Sequence, residues 1–327
     1  MEKTKEDLIA ELNHDDESQR LYAVEDIYDS KQNELAVDLV KRLKIESSKA
    51  VKNSIVQVLQ KMEYEKVYGE IFELFPDEDP FLRNSAVTIF ASYGEDAVVF
   101  LSSYIDHSNK EVRKLILDSL VEMANGSNHT RSSSLEILRA CLHDPEINVV
   151  ITAVEYLGKL NDQNSVHDIV ELFLKKDEPM LRSSILDSLQ KIGDKEEIGK
   201  VIGSLMNDEI LSNSLYTPQI IRLLAISGKT DELLKVIEEM PDIAQYTSDI
   251  IFSLDHLVRN DSLAPEIVVS TIEKFSNLNL SEETKFISVK LLHMAGTSNS
   301  LGIIKEWANT GSEEFKQFCN EVLAESK

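Results

Sequence analysis

The chain has 327 residues, in which 58 acidic side chains outnumber 34 basic ones and give a formal net charge of −24 at pH 7. Nucleic acids and anionic membranes recruit clustered Lys and Arg, so this charge argues against both as partners. No apolar run is 18 residues long, which predicts no membrane-spanning helix, and two cysteines, Cys141 and Cys319, are too few for a disulfide framework.

A helical pattern recurs ten times along the chain, with an anchor residue that is basic in seven copies. The residue seven positions after each anchor is large and apolar, and the residue three positions after it is mostly Ala or Ile. Offsets of three and seven share one helix face, so each copy predicts an amphipathic helix with a buried stripe. The anchors, 30 to 37 residues apart, are Arg20, Lys52, Arg83, Arg113, Val150, Arg182, Thr217, Ile250, Lys285 and Lys316.

A second set of helices is predicted between the anchor helices, again apolar at helical spacing. The predicted segments are 34–43, 67–75, 95–105, 133–142, 165–174, 196–206, 231–240, 265–275 and 300–307. Strand signals are absent, and one helical hairpin cannot bury both of its apolar faces, so neighbouring hairpins must stack. The predicted fold is all-α: an α-solenoid of about ten hairpins that forms one superhelical arc over residues 1–327.

Two irregularities interrupt the repeat. Residues 125–134 are polar and rich in Gly and Ser, and they coincide with the longest spacing of 37 residues. They predict a softer join, an inserted loop between the fourth and fifth repeats, which is either a tolerated surface insertion or a hinge or partner contact. From about residue 207 onward the repeats are degenerate, because anchors or turns deviate from the pattern.

Three short motifs recur around the predicted turns: an Asp-Pro pair, an arginine after an apolar residue, and a glycine that closes the anchor helix. Their copies are Asp79-Pro80 and Asp144-Pro145; Leu82-Arg83, Val112-Arg113 and Leu181-Arg182; and Gly94, Gly158, Gly193, Gly228 and Gly296. This combination resembles the HEAT-repeat family, and more closely the bacterial HEAT-like repeats of the phycobilisome-lyase type. The resemblance implies that Arg83, Arg113 and Arg182 are structural, in a ladder of Asp and Arg between neighbouring turns.

Motifs for catalysis or metal binding are missing from the sequence. Seven histidines are scattered singly, and neither H-x-x-x-H, C-x-x-C nor a Gly-rich phosphate loop occurs. His256 beside Asp255 is the one suggestive pair, and a solvated helix pair explains it more simply. We therefore expect no catalytic residue, no metal and no cofactor.

The resemblance also implies that the anchor helices line a concave groove, the usual partner surface of such solenoids. The residue five positions after the anchor should point outward, and it is acidic at Asp118, Glu155, Asp187 and again at Asp255. The residue two positions after the anchor should also be outward, and it is apolar at Phe252, Ile287 and Phe318. Apolar groups on a wet face often mark binding sites, although a register slip by one residue would instead bury these three.

These features predict a non-catalytic scaffold or adaptor whose acidic groove binds a basic or amphipathic segment of another protein. An inhibitor or antitoxin that masks a basic protein would fit the same charge. A chromophore-lyase-like HEAT subunit is the alternative that follows from the resemblance. Residues 1–7 contain no basic-then-apolar leader, so we expect a cytoplasmic location.

Overall fold

The ten predicted anchor helices are all α-helical in the computed structural model, which describes residues 3–206, 215–240, 242–260, 262–276, 278 and 280–325. The start of the degenerate stretch, 207–214, lies outside the described residues. Within them the regular structure is helical throughout. The α-helices are α1 (Lys5–Leu12), α2 (Glu17–Asp29), α3 (Ala36–Ile45), α4 (Lys49–Leu59), α5 (Tyr68–Phe72), α6 (Pro80–Phe90), α7 (Glu95–Ser102), α8 (Lys110–Gly126), α9 (Asn128–Ala140), α10 (Ile147–Lys159), α11 (Val166–Lys175), α12 (Pro179–Ile192), α13 (Lys195–Met206), α14 (Thr217–Ile226), α15 (Thr230–Glu239), α16 (Thr247–Arg259), α17 (Pro265–Glu273), α18 (Glu282–Ala295), α19 (Ser298–Trp307) and α20 (Glu313–Glu325).

The even-numbered helices are the anchor helices, and their predicted stripe forms the core. Every residue at offset three is buried, as is every residue at offset seven from Ile27 to Leu292. In α20 the residue at offset seven, Leu323, is only half-buried, and its neighbour Val322 is buried instead. The helix register inferred from spacing is therefore correct, with a shift of one residue at the end of the last helix.

The helices form two compact units, residues Met1–Asp162 and Gln163–Lys327. In the first unit α2 packs on α4, α4 on α6, α6 on α8, and α8 on α10. In the second unit α12 packs on α14, α14 on α16, α16 on α18, and α18 on α20. Stacked helical hairpins of this kind define an α-solenoid. That the units continue into a single solenoid stays a prediction.

The predicted loop at 125–134 is wrong. Helix α8 continues to Gly126 and α9 begins at Asn128, so only Ser127 lies between them. The Ser127 hydroxyl accepts a hydrogen bond from the backbone N–H of His129, and the buried Thr130 hydroxyl donates to the carbonyl of Met123. Ser127 and Thr130 bond to backbone groups at the ends of two helices, which accounts for the polar composition of this segment. The segment is a tight turn between two long helices, not an inserted loop.

The anchor arginines stabilise the turn that precedes their own helix. Each donates to the carbonyl six residues earlier: Arg20 to His14 at 3.0 Å, Arg83 to Asp77 at 2.6 Å, Arg113 to His107 at 2.6 Å and Arg182 to Lys176 at 3.1 Å. The turn leaves backbone carbonyls without a partner in a helix, and the guanidinium supplies several donors. These hydrogen bonds give the anchor arginines a structural role in the turn.

Links to the next repeat are fewer than the expected ladder. Arg113 makes a two-pronged ion pair with Asp144, with N–O distances of 2.7 and 2.8 Å. Arg20 does the same with Glu46, and Lys52 reaches Asp79 at 3.2 Å. Arg182 instead pairs with Asp177 of its own turn, and Arg83 bonds to carbonyls of its own turn. The predicted ladder is therefore correct for Arg113, and it is wrong for Arg83 and Arg182, which bond within their own turns.

Candidate interaction surface

The outward face of the even-numbered helices, here the even-helix face, consists of the residues two and five positions after each anchor. At offset five all ten residues are exposed or half-exposed, as the spacing predicts. At offset two the environment varies, because Ser85 and Ser184 are buried and Tyr22 is well exposed. The outward line at offset five is therefore the more regular surface.

The predicted acidic residues have different environments. Glu155 in the first unit and Asp187 in the second are exposed. Asp118 is half-buried, and its carboxylate accepts a hydrogen bond from the Tyr156 hydroxyl of α10. Burial raises the pKa of Asp118, and the hydrogen bond from Tyr156 opposes that rise. Glu155 and Asp187 are therefore the more accessible charges, while Asp118 contributes to packing between α8 and α10.

Asp255 belongs to an ion pair on its own helix. Its carboxylate accepts a hydrogen bond of 2.7 Å from Nε of Arg259, one turn later. The adjacent His256 lies against a neighbouring pocket. The pairing of Asp255 with Arg259 is the arrangement of a solvated helix pair rather than of a general base with its orienting acid.

A pocket of about 300 Å³ opens on the even-helix face of the second unit, among α12, α14 and α16. Phe252, predicted to be outward, lines it and remains 38% exposed. Ala225 and Ile226 add apolar surface, and Arg222 and His256 add polar groups. The pocket combines an accessible aromatic ring with a few polar side chains, the usual character of a binding pocket.

The polar lining of this pocket comes mainly from groups that donate hydrogen bonds. The Arg222 guanidinium contacts Asp249 through Nε at 2.8 Å and remains half-exposed. The amide nitrogen of Gln190 is buried and has no hydrogen-bond partner among the described residues.

The predicted apolar cluster is only partly assembled. Ile287 is half-buried, and Phe318 is half-buried against Phe286, with ring centroids 5.0 Å apart. Of the three predicted residues, Phe252 alone lines the pocket. At these three positions the register is not shifted, because the residues that follow them, Ser253, Ser288 and Cys319, are buried as predicted.

Sequence reasoning missed Arg222, Gln190 and Ile226 as members of this site. Ile226 did carry a signal, since it stands nine residues after the anchor Thr217, at a position that faces away from the core. Gln190 carried none, because its role depends on α14 and α16 packing beside α12.

A second, more polar cavity of about 440 Å³ lies in the first unit, between the turns and faces of α6 and α8. Arg83, Lys114 and Asp118 line it. Its mixed charges and the bonds of Arg83 to its own turn identify it as part of the turn structure. The pocket beside Phe252 is therefore the better candidate for a partner site.

The described part of the chain contains neither a candidate metal site nor a candidate membrane span. No three His, Cys, Asp or Glu side chains there are grouped so that they could hold a metal ion. None of the described helices is both long enough and apolar enough to cross a membrane.

Comparison with known proteins supports the architecture. The family of HEAT repeats matches residues 98–190, from within α7 to within α12. A crystal structure of importin beta in an ammonium sulfate condition matches with a TM-score of 0.57 at 12% identity, covering 97% of this chain and 52% of that chain. The chain therefore spans about half the length of importin beta, and the likeness shows the fold alone.

The complex of CpcE and CpcF of phycocyanin lyase from Nostoc sp. PCC7120 also matches, with a TM-score of 0.30 at 15% identity, covering 74% of this chain and 96% of that chain. Overlap this weak supports no conclusion about the lyase type. Among curated proteins no match is found. The chain is thus an α-solenoid whose repeats over residues 98–190 match the HEAT repeats.

Proposed function

We propose that the protein is a non-catalytic interaction scaffold or adaptor whose even-helix face binds a basic or amphipathic segment of another protein. Stacked helical repeats create extended surfaces that suit such binding. The observation that carries the proposal is Phe252, an accessible aromatic ring at a pocket of about 300 Å³.

The pocket would supply the anchor of the interaction. Most binding energy at protein interfaces comes from a few apolar and aromatic groups that become desolvated. A side chain of Leu or Phe size from the partner would cover Phe252 and Ile226. A backbone carbonyl of the same segment would accept a hydrogen bond from the exposed guanidinium of Arg222.

Charge would select and steer the partner. Exposed acids such as Glu155 and Asp187 belong to a chain of net charge −24, so a basic segment is attracted from a distance. This attraction is screened within about 8 Å at physiological salt, and it therefore favours encounter more than lifetime. The proposed partner is accordingly amphipathic, with basic residues around an apolar one.

An inhibitor or antitoxin that masks a basic protein is a second candidate favoured by the same charge. It differs in outcome, because binding would abolish the partner's activity. The lyase-like role rests on the sequence resemblance alone. If the protein had that role, a bilin added to it should show a shift in its visible absorption spectrum.

Site-specific photocrosslinking tests the proposal directly. Phe252 is replaced by p-benzoylphenylalanine, the full chain is irradiated in lysate of the native host at low salt, and the adducts are identified by mass spectrometry. Leu174 of α11, also an exposed apolar residue of the second unit, gives the control position. A basic or amphipathic protein captured at 252 and not at 174 supports the proposal; equal capture at both positions would contradict it.

A further inference from the structure

One segment of the chain has the opposite charge to the rest. Residues 41–52 contain five basic side chains and one acid, Glu46, although acids outnumber bases in the whole sequence by 58 to 34. The segment covers the end of α3, the turn 46–48 and the start of α4. It lies in the first unit, whereas the residues that line the pocket beside Phe252 belong to the second.

Two of the five basic groups are used internally. Arg42 pairs with the buried carboxylate of Glu46 at 2.8 Å, and Lys52 pairs with Asp79. Glu46 also pairs with Arg20, so the charge of the only acid in the segment is neutralised inside the fold. Glu46 therefore does not offset the charges of the three remaining lysines.

The other three basic residues stand within four positions of an exposed apolar residue in the sequence. Lys41, Lys44 and Lys49 are exposed, and the structure gives them no ion pair within the residues it describes. Ile45 is 70% exposed at the end of α3, one helical turn after Lys41 and next to Lys44 in the sequence. The short turn leads on to Lys49 at the start of α4. The nearest acid on this helix face is the half-buried Asp38, one turn before Lys41. We call Lys41, Lys44, Ile45 and Lys49 the Ile45 patch.

We propose that the Ile45 patch docks a short acidic segment of a partner protein, with one apolar side chain of that segment over Ile45. Three ammonium groups in the same short segment as an exposed aliphatic side chain match a segment in which carboxylates flank a residue such as Leu. The patch is an interaction surface separate from the even-helix face, and it selects a ligand of the opposite charge.

The neighbouring turns limit the length of the ligand. The turn before α2 exposes Asp15 and Asp16, and the turn before α6 exposes Glu78. Arg20 pairs with Glu46 in the turn before α4, and Lys52 in the first turn of α4 pairs with Asp79. Both acidic turns therefore lie beside the start of α4, where the patch is. Packed helices are about 8–10 Å apart. A long or planar polyanion would extend onto these acids, whereas a short peptide would stay on the patch.

The net charge of the whole chain does not prevent this docking. At physiological salt the Debye length is about 8 Å, so the lysines of the patch dominate the field that a short peptide meets at contact. More distant acids contribute a screened repulsion. Binding should therefore be modest in affinity and should weaken strongly with added salt.

Fluorescence anisotropy with a labelled synthetic peptide tests the proposal on the full chain. The probe is a ten-residue peptide of Glu and Gly with a central Leu, and a second peptide has Gly in place of that Leu. The variants are K41E/K44E/K49E and I45S. The matched control is K31E/K61E/K66E, which changes the net charge equally at exposed lysines of the same unit. Circular dichroism verifies that each variant is folded.

We expect the patch reversal to weaken binding of the Leu peptide roughly tenfold or more, as three lost surface ion pairs would. The control reversal should have a much smaller effect. I45S should weaken the Leu peptide and leave the Gly peptide unchanged. Equal loss in both triple variants, or no binding by the wild type, would overturn the proposal.

Two further titrations test whether the Ile45 patch prefers an anionic membrane or a nucleic acid to an acidic peptide. Vesicles with 30% phosphatidylserine and a ten-nucleotide single strand of DNA are titrated under the same conditions. Tighter binding of either one than of the Leu peptide would also overturn the proposal. F252A should leave peptide binding unchanged, so failure at the Ile45 patch and failure at the Phe252 pocket are distinguishable.

Discussion

The carboxylate of Glu46 is held by the guanidinium of Arg20, one repeat earlier, through two hydrogen bonds of 2.8 and 2.9 Å. Arg42 adds a third at 2.8 Å, and the backbone N–H groups of Ser47 and Ser48 donate as well. Burial alone would raise the pKa of Glu46, but the hydrogen bonds outweigh it and hold the pKa at about 2. Glu46 is therefore ionised at neutral pH, and it links two repeats.

Glu46→Gln should lower the free energy of unfolding at neutral pH by on the order of 3 kcal/mol, because two arginines lose their buried counter-charge. The folded pKa lies below the unfolded one, so the contribution of Glu46 is complete above about pH 4.5 and is lost as the pH falls toward 2. Urea unfolding at pH 7 and pH 3 measures this, with the exposed Glu65→Gln as control. A difference between wild type and variant that is as large at pH 3 as at pH 7 would contradict the account.

The fold could be predicted from the sequence because its signal is periodic. An apolar side chain at offset seven must be buried whichever neighbour covers it, so Leu120 and Leu189 were identified without knowledge of the packing. The turn at Ser127 could not be predicted, because Gly and Ser are common both in loops and in helix caps. Spacing fixes the helices better than composition fixes the connections.

Leu120→Ala and Leu189→Ala should each cost roughly 2–5 kcal/mol, since both side chains are fully buried. Repeats contact only their neighbours, so the loss should be local. Hydrogen exchange should rise in α6 to α10 for the first variant and in α12 to α14 for the second. Leu174→Ala, at an exposed site, should change stability by less than about 0.5 kcal/mol. A similarly small effect at Leu120 would mean that the core is misassigned.

Asp118→Asn should make the protein more stable at pH 7 relative to the wild type. Burial raises the folded pKa of Asp118 above its unfolded value, so ionisation at neutral pH carries a cost that Asn avoids while its carbonyl still accepts from Tyr156. The folded state binds this proton more tightly, and the cost disappears as the pH falls below the unfolded pKa. Melting temperatures from pH 7 to pH 3 should show the advantage of the variant shrinking. Glu25→Gln, at an exposed site, should show no such trend.

The kinetics of partner binding should separate charge from contact. Glu155→Lys with Asp187→Lys should mainly slow association, because exposed acids steer the encounter. Phe252→Ala should mainly speed dissociation, since lost contacts appear in the off-rate. Surface plasmon resonance with the crosslinked partner, at two salt concentrations, measures both rates. The control, Glu65→Lys with Glu238→Lys, makes the same charge change at exposed residues outside the even-helix face. If the control slowed association equally, Glu155 and Asp187 would have no specific role in steering.

The candidate site was predictable only in part. Offset two placed Phe252 on an outward face, and its exposure follows from the register. The same argument failed for Phe318, because the preceding repeat offers Phe286 as a packing partner. Whether an outward aromatic ring is covered depends on its neighbours in space, and a single helix period does not contain that information.

The bonds of the anchor arginines to their own turns have a consequence for how such a chain can be rebuilt. The hairpin that ends in α6 closes its turn with Arg83 and needs no acid from the hairpin after it. The hairpin that ends in α8 depends on Asp144 of its successor. Removing a hairpin of the first kind would leave its own kind of turn intact in the others and would cost only the partly exposed pair between Lys52 of the preceding hairpin and Asp79. The second kind would have to be moved together with its neighbour, so arginine pairing marks where the array can be cut.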